Sequence, residues 1–559
     1  MTLAPQLGSR GQAPADGPAQ TRQWLVLAVL CLSVFMVVVD NTIVNVGLPT
    51  ISRTLGSSIT GLQWIVDAYS LAFAGLLLAG GGIGDRLGRR RVMEAGLLAF
   101  ATFSVLAAWS SSTGSLITSR ALMGVAAAFV FPASLAVLTD VFRDPAQRQK
   151  ALGVWGATSG AAVAFGPVTG GALLQHFWFG SIFCVNVPIA AVALAGTRLL
   201  IPRSAPTEHR RFDTRGTLAS TAGVSLLTLA IIEGPQWGWA AGGTLACFVL
   251  AVLLLAGFAV AELRTDPPLL DVRVFALPRF SAGAASIAVV FFCLFGFIFL
   301  ITQYLQFVKG YSTLAAGVRT LPFAAVAAVC TPLGALAALR VGKRAVVGTG
   351  LAVMAGGLVL AGLTSRPSTA YFGPILASMV LISLGLSLVT APSTEAVMGT
   401  LARDQVGAGA AVNNTTRELG GTLGVAVLGS VFASAYSPGV LSSFGRYPIP
   451  AAAMGAAHRS LAGALEVANR APALVRPALR ADAFAAFGSG LKLACLVAAA
   501  VAAAGALAAS ALLPGRGRAA GEAGAADGAP GPGGSASPAP AGPRPALAPA
   551  GPRQPFPVP

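Results

Sequence analysis

The sequence predicts an all-α polytopic membrane protein, built from two six-helix halves with two further helices inserted between them. Three observations lead to this fold class: the composition, the number of long apolar runs and an internal repeat. Of the 559 residues, 55% are hydrophobic and only 10% are charged, and the mean hydropathy is +0.75. Soluble globular domains carry about 25% charged residues. The composition therefore excludes a large cytosolic enzyme, a disordered protein and a secreted disulfide scaffold.

Apolar runs of about 20 residues are long enough to cross a bilayer as helices. Fourteen such runs follow one another along the chain. The stretch before the first run is polar and contains proline, so we interpret this run as an uncleaved membrane anchor and not as a signal peptide. The fourteen predicted spans cover residues 24–46, 61–80, 92–110, 114–140, 151–174, 181–201, 216–233, 242–263, 281–303, 315–338, 345–364, 370–391, 408–435 and 483–512.

Arginine and lysine concentrate in alternate short loops, and short loops rich in these cations stay on the cytoplasmic side of a membrane. Cations are few in the opposite short loops, and the long segment 436–482 is an exception that the rule allows, because long loops cross largely regardless of charge. We therefore expect both termini to be cytoplasmic. The loops predicted to be cytoplasmic are those around residues 86–91, 143–150, 203–215, 264–279, 340–344 and 403.

An internal repeat relates the two ends of the apolar region. Gly88-Arg89-Arg90 after the second run is echoed by Gly342-Lys343-Arg344 after the tenth, an offset of 254 residues. The same offset takes Gly166 to Gly420 and the first run onto the ninth. Two six-helix halves related by an axis along the membrane normal form a transporter architecture with the substrate site between the halves.

The runs and the repeat together divide the chain into five segments. The last of these is rich in Pro, Ala and Gly, a composition that predicts disorder. The segments are a cytoplasmic N-terminal tail (1–23), an N-terminal six-helix half (24–201), two inserted helices with linkers (202–280), a C-terminal six-helix half with an extracytoplasmic loop at 436–482 (281–512) and a cytoplasmic tail (513–559).

Charged side chains inside membrane spans are costly and indicate function by default. Asp40 and Arg120 each lie about six residues from the outer end of their spans, or about 9 Å at 1.5 Å per residue. A buried Asp40–Arg120 pair is therefore possible, and a nearby removable cation suits a carboxylate that binds and releases a proton. We predict that these two residues couple proton movement to transport; the alternative is an ion pair that only holds helices together.

The second and thirteenth spans carry further polar stripes. Gln63, Asp67 and Ser70 share one helix face in the second span. Trp64 lies beside Asp67, and an aromatic ring next to a carboxylate suits a lipophilic cation; anchoring at the membrane surface is the alternative for Trp64.

In the thirteenth span, Asn414 and Glu418 share one face with Gly421. A pairing of Glu418 with Arg417 or another neighbour is the alternative there. The predicted substrate-binding residues of these two spans are Trp64, Asp67, Asn414 and Glu418.

Other chemistries lack a signature in the sequence. The net charge of +17 comes from cations in loops between apolar runs, so membrane topology explains it better than a nucleic-acid partner. The six cysteines lie inside apolar runs without CxxC spacing, and the three histidines are far apart, which indicates neither disulfides nor a metal site. A phosphate-binding loop is also missing. We expect a non-enzymatic protein without cofactor, driven by an ion gradient or by the gradient of its solute.

Five motifs resemble those of the fourteen-helix drug:proton antiporters of the major facilitator superfamily, the QacA/EmrB-like group, over about residues 24–512. They are the helix 1 motif from Asp40 to Pro49, the helix 2 run from Gln63 to Leu71, the loop from Gly81 to Arg91, the helix 4 motif from Leu116 through Arg120 to Gly124 and the helix 13 stretch from Asn413 to Gly429. An aspartate is common in that group where Asn414 stands. The resemblance implies that the loop gates movement through Gly81, Asp85, Arg86, Gly88 and Arg89.

Helix 5 resembles the antiporter motif of the same group, and Ala162 stands where that motif has another glycine. The motif residues in this chain are Gly153, Gly166, Pro167, Gly170 and Gly171.

The resemblance implies proton-coupled efflux of amphipathic, cationic drugs or antibiotics across the inner membrane. The expected partners are a small-molecule drug, protons and the lipid bilayer. A dedicated exporter of one neutral or anionic self-made antibiotic is the first alternative, and proton-coupled nutrient uptake is a more distant one. A membrane-embedded enzyme would need catalytic groups clustered at one membrane face, and the sequence has no such cluster. Abundant Ala, Gly and Pro with only four lysines indicate a GC-rich bacterial genome.

Overall fold

The computed structural model describes residues 18–202, 214–264, 272–400 and 406–513, and all regular structure in these ranges is helical. The helices are α1 (Pro18–Leu55), α2 (Ile59–Leu87), α3 (Arg89–Ala108), α4 (Thr113–Val141), α5 (Pro145–His176), α6 (Ser181–Cys184), α7 (Asn186–Leu200), α8 (Thr214–Trp237), α9 (Gly242–Arg264), α10 (Pro278–Gln303), α11 (Thr313–Val341), α12 (Lys343–Thr364), α13 (Leu376–Met398), α14 (Val406–Phe444), α15 (Ala451–Arg459), α16 (Leu461–Arg470) and α17 (Arg476–Leu512).

The number of membrane-length helices agrees with the predicted fold class. Within the described ranges, thirteen helical segments are long and apolar enough to cross a membrane. Helix α2 has 29 residues, which is also spanning length, since about 20 residues at 1.5 Å each cross the hydrocarbon core. Each predicted run therefore coincides with one long helix, or in the sixth case with the pair α6 and α7. The all-α, polytopic fold class is confirmed.

Successive spans run in opposite directions, so the bundle has two ends. We call them the Ser58 end, where α1 turns into α2, and the Gly88 end, where α2 turns into α3. Ser58 caps α2 by accepting a hydrogen bond from the backbone N–H of Gly61, which satisfies one of the free donors at a helix start. Helix α1 begins and α17 ends at the Gly88 end.

The two halves repeat the same local geometry. Gly88 (φ 93°) and Gly342 (φ 99°) both adopt positive φ, a conformation that glycine reaches without steric cost, and each separates the second helix of its half from the third. Helix α5 packs on α1 in the first half as α14 packs on α10 in the second. The sequence repeat therefore reflects a structural repeat, with α1–α7 and α10–α17 as its two copies.

The inserted pair α8 and α9 lies between the halves in sequence and covers one of their seams. Helix α8 packs on α2 of the first half and on α14 of the second, and α9 packs on α8. The Thr221 hydroxyl donates to the Gly75 carbonyl at 3.1 Å, and the Ser430 hydroxyl donates to the Ile231 carbonyl at 2.8 Å. Helix α8 is therefore bonded to both halves along the α2–α14 seam.

Two segments differ from the simplest sequence prediction. The stretch 436–482, predicted as a loop, contains the end of α14, the short helices α15 and α16, and the start of α17. Tyr436 donates to the carbonyl of Ala457 at 3.1 Å, which ties α15 to α14. The sixth span comprises α6 and α7, which are joined at Val185, a residue that keeps helical dihedral angles (φ −60°, ψ −26°). The first residue of α7, Asn186, is fully buried inside the first half.

Candidate functional site

A buried ionic cluster occupies the interior of the first half. Asp40 of α1 and Arg120 of α4 are both fully buried, and Arg120 Nη1 donates to Asp40 Oδ2 at 2.5 Å. Asn186 Nδ2 donates to the other carboxylate oxygen at 2.7 Å and to the Ser104 hydroxyl at 3.3 Å. Both oxygens of Asp40 are therefore satisfied by charge-assisted hydrogen bonds, the stronger class of such bonds.

Arg120 is held from a second direction by α2. Its Nε donates to the Ile65 carbonyl at 3.2 Å, and its guanidinium carbon lies 4.2 Å from the centre of the Tyr69 ring, within the range of a cation–π contact. The Tyr69 hydroxyl in turn donates to the Val37 carbonyl at 3.2 Å. The predicted pair is thus part of a network that connects α1, α2, α3, α4 and α7.

Asp67 of α2 has the opposite environment. Its side chain is fully buried, and neither carboxylate oxygen has a hydrogen-bond partner among the described residues. One turn earlier, the Gln63 amide donates across the seam to the carbonyls of Ala426 and Val425 at 2.9 and 3.3 Å. Because Gln63 and Asp67 share one helix face, Asp67 lies on the side of α2 that meets α14.

Trp64 points towards the inserted helix. Its indole N–H donates to Glu233 Oε1 at 3.0 Å, and the neighbouring Gln236 of α8 bonds to the Thr60 hydroxyl. Thr228 of α8, between these contacts and the Thr221–Gly75 bond, is fully buried and its hydroxyl has no partner among the described residues. The structure thus places Trp64 against α8, whereas Asp67 lies on the side of α2 that meets α14.

Helix α14 carries the predicted residues of the second half. Asn414 and Glu418 are both half-buried. Asn413 Oδ1 accepts a hydrogen bond from the Thr394 hydroxyl at 3.3 Å, and the Arg417 guanidinium carbon lies 5.1 Å from the centre of the Phe291 ring. Arg417 is therefore directed towards α10, whereas Glu418 is on an adjacent face of the same helix.

The predicted gating loop is only partly described. Arg89 Nη1 lies 2.6 Å from Asp140 Oδ2 of α4 and donates to the Ala136 carbonyl at 3.1 Å. Arg86 is exposed. The surroundings of Gly81 and the side chain of Asp85 lie outside the described residues; the Arg89–Asp140 pair links α3 to α4.

The helix 5 glycines serve two different interfaces. A Cβ on Gly166 would lie 2.0 Å from the Thr42 hydroxyl oxygen, and one on Gly170 would lie 2.7 Å from the Ile43 side chain, both on α1. A Cβ on Gly171 would lie 2.7 Å from the Thr313 carbonyl oxygen of α11, whereas one on Gly153 would contact nothing within 4 Å.

Pro167 belongs to the second of these interfaces, because its carbonyl oxygen would lie 2.2 Å from a Cβ on Gly317 of α11. Small residues allow such close helix approach. The motif therefore packs α5 both within its half and across to the other.

The hydrogen bonds described between the two six-helix halves are formed at the Ser58 end. Besides Gln63, Gln306 reaches from the end of α10 to the Val46 carbonyl of α1 at 2.8 Å, and the Thr313 hydroxyl donates to the Gly171 carbonyl at 3.0 Å. Arg53 of α1 also lies over the Phe307 ring, 4.7 Å from its centre. Sequence reasoning missed Gln306, because a single glutamine beyond the end of an apolar run has no periodic signal.

Asn186 and Ser104 were also missed by sequence reasoning. A single asparagine or serine inside an apolar run has no periodic signal, so the sequence gives no indication of their contacts with Asp40 and with each other. The structure thus combines two repeated helical halves, a buried acid–arginine cluster inside one half and a second buried acid where the halves meet. This combination is typical of membrane transporters.

Residues 30–425 match the sequence profile of the Major Facilitator Superfamily, and the chain belongs to this family. Similar proteins include the multidrug efflux pump LfrA of Mycolicibacterium smegmatis, 35% identical over 478 residues that cover 86% of this chain and 94% of that protein. The puromycin resistance protein pur8 of Streptomyces alboniger is 38% identical over 75% of this chain and 83% of its own length. The methyl viologen resistance protein SmvA of Salmonella typhimurium is 32% identical over 81% and 90%.

Among solved structures, the fold resembles a bacterial homologue of the human lysosomal transporter Spinster, crystallised in an inward-facing, unoccupied conformation. The TM-score is 0.62 and the identity is 18%, and the match covers 88% of this chain and 98% of that one. This likeness supports the fold. Together with the family membership, it establishes that the protein is a multi-pass membrane transporter and confirms the resemblance that the sequence motifs indicated.

Proposed function

We propose that this transporter exports amphipathic, mainly cationic drugs or antibiotics across the cytoplasmic membrane in exchange for protons. The observation that carries the proposal is the contrast between two buried acids. Asp40 is paired inside one half, whereas Asp67, on the helix face where the halves meet, has no partner among the described residues. The names of the relatives, which are drug efflux and antibiotic resistance proteins, support export of drugs over the alternatives of nutrient uptake or enzymatic activity.

The Gly88 end is assigned to the cytoplasm because short cation-rich loops stay inside. Arg86, Arg89, Lys343 and Arg344 all lie at that end. The described hydrogen bonds that join the two halves lie at the other, outer end. In this assignment, the outer side is closed and the protein stands in the state that receives drug from the cytoplasm.

Proton coupling is assigned to Asp40. In the inward state its carboxylate is neutralised by Arg120 at 2.5 Å, so it has released its proton. When the halves open outwards, a proton from outside binds Asp40 and cancels the charge that attracts Arg120. Return to the inward state releases that proton to the cytoplasm, where the ion pair forms again. Breaking a buried pair without this compensation costs about 3–5 kcal/mol, which links the conformational change to the proton.

Drug binding is assigned to the seam and to α14. An unpaired carboxylate in a dry site is costly, and either a proton or a lipophilic cation removes that cost. Asp67 and the half-buried Glu418 supply these negative charges, with Asn414 as a neutral hydrogen-bonding partner. Trp64, held by Glu233, positions the outer part of α2 against the inserted helix in this assignment.

The proposal is tested by drug susceptibility in a bacterial host that lacks its own efflux pumps. Cells expressing the protein are compared with cells expressing the Asp40→Asn variant at equal membrane abundance, across cationic, neutral and anionic compounds. We expect raised resistance to several cationic compounds that disappears with the variant. Resistance to one neutral or anionic compound alone would indicate the dedicated exporter. Unchanged susceptibility to all compounds would contradict export of drugs.

A further inference from the structure

Asn186 is fully buried beside Asp40, and only one end of its amide is used. The Nδ2 group donates to Asp40 Oδ1 at 2.7 Å and to the Ser104 hydroxyl at 3.3 Å. The Oδ1 atom has no hydrogen-bond partner among the described residues. A buried acceptor without a partner is unfavourable. A second state of the cluster in which this oxygen accepts a hydrogen bond would give this acceptor a partner.

The two protonation states of a carboxyl group need opposite partners. A carboxylate only accepts hydrogen bonds, whereas the protonated acid carries an O–H that must donate. Of the two described side chains bonded to Asp40, Arg120 has donors only. The nearby Tyr69 of α2 donates its hydroxyl to the Val37 carbonyl, and the Ser104 hydroxyl of α3 is hydrogen-bonded to Asn186 and to Met123 Sδ. Asn186 is therefore the described partner of Asp40 that holds both a donor and an acceptor.

We propose that Asn186 is a positioning residue that serves both states of Asp40 by turning its amide. In the state described here, Nδ2 donates to the carboxylate. When a proton binds Asp40 Oδ1, the amide rotates by half a turn about its Cβ–Cγ bond, and Asn186 Oδ1 accepts the new O–H. No covalent bond of the protein forms or breaks apart from this O–H bond. The inference rests on the proposed role of Asp40 as the proton-coupling acid.

The amide turn is tested with the full-length protein in liposomes and a fluorescent monovalent lipophilic cation as the probe. One assay measures net efflux driven by a proton gradient, which requires Asp40 to gain and lose a proton. The other measures exchange of the probe for itself at equal pH, which does not. Asn186→Leu keeps the volume and removes both polar ends. We expect net efflux to fall at least about tenfold, which is the effect of losing one hydrogen bond to a charged group. We expect exchange to stay within about twofold of wild type.

Ser104→Ala is the matched control, because it removes the other partner of the amide and leaves the bond to Asp40 intact. We expect it to leave the ratio of net efflux to exchange near that of wild type. Asn186→Ala provides a second variant if Asn186→Leu is not recovered in the membrane, with the same expected split between the assays. Equal losses in both assays would reduce Asn186 to a packing role and overturn the inference. Undiminished net efflux would overturn it as well.

The same assays separate this inference from the proposed function. Asp40→Asn is expected to lose net efflux and retain exchange. If Asp40→Asn sustains net efflux, the role of Asp40 fails and the inference about Asn186 fails with it. If Asp40→Asn loses net efflux while Asn186→Leu sustains it, only the inference about Asn186 fails.

Discussion

Asp40 and Asp67 are both fully buried aspartates on neighbouring helices, and their surroundings are opposite. Asp40 has Arg120 on one oxygen and Asn186 on the other, whereas Asp67 has no partner on either oxygen among the described residues. Asp40 belongs wholly to one half, and Asp67 lies on the face that meets the other half. Burial alone therefore does not assign a role to an acid. In the proposed function, a proton switches the complete cluster at Asp40, and a cationic ligand completes the site at Asp67.

The largest expected effect comes from neutralising the paired acid. Asp40→Asn keeps the shape of the side chain and removes the charge that holds Arg120. We expect this variant to abolish efflux of every substrate class while its membrane abundance stays at the wild-type level. The measurement is accumulation of cationic and neutral probes in cells, with abundance checked by immunoblotting. Full efflux by this variant would remove the distinction between the two acids.

Neutralising the unpaired acid should give a selective effect. A carboxylate attracts a cation far more in a low-dielectric site than in water, and a neutral drug gains nothing from it. We expect Asp67→Asn to reduce efflux of dications most, of monocations less and of neutral compounds hardly at all. The three classes are measured side by side against wild type. Equal losses in all classes would mean that Asp67 supports the structure or couples protons.

The helix 5 glycines provide a comparison within one motif. Gly166 packs on Thr42, two residues from Asp40, and an added Cβ would lie 2.0 Å from that hydroxyl. Overpacking a tight interface costs about 1–3 kcal/mol, so Gly166→Ala should lower thermal stability in detergent and displace α1. Gly153→Ala is the matched control, since its Cβ would contact nothing within 4 Å. Equal stability of the two variants would contradict the packing described here.

The smallest expected effect lies at the Gly88 end. Arg89 pairs with Asp140 at 2.6 Å, and the Asp140 side chain is half exposed. Surface pairs contribute about 0–1 kcal/mol, so Arg89→Gln should leave folding nearly unchanged. We expect slower transport with unchanged drug affinity, measured as turnover against the dissociation constant. Loss of affinity at normal turnover would place this corner in the drug site.

The sequence predicts the fold closely because its signals are local. Apolar run length identifies the spans, and the repeated Gly88 and Gly342 turns reveal the two halves. The Asp40–Arg120 contact also follows from sequence, since matched depth on two antiparallel helices restricts which charges can meet. Asn186 and Gln306 could not be assigned in this way. Their partners lie on helices distant in the chain, and only the packing of those helices brings them together.

The position of Trp64 shows the same limit for the inserted helices. Its place on α2 follows from periodicity, but its bond to Glu233 depends on where α8 docks. No pattern in the sequence predicts that α8 covers the α2–α14 seam, since a lipid-facing helix and a helix packed on a seam are both apolar. The Asp40–Arg120 pair is therefore predictable from the sequence, whereas contacts that depend on how distant helices pack, such as Asn186–Asp40 and Trp64–Glu233, are not.

The separate roles of the two acids are tested most directly by comparing net efflux with exchange in liposomes for a monovalent lipophilic cation. Asp40→Asn should lose proton-driven net efflux and retain exchange, because exchange needs no proton to bind or leave. Asp67→Asn should lower both rates by the same factor, because both require the cation to bind. Selective loss of net efflux in Asp67→Asn, with Asp40→Asn impaired equally in both assays, would contradict the account.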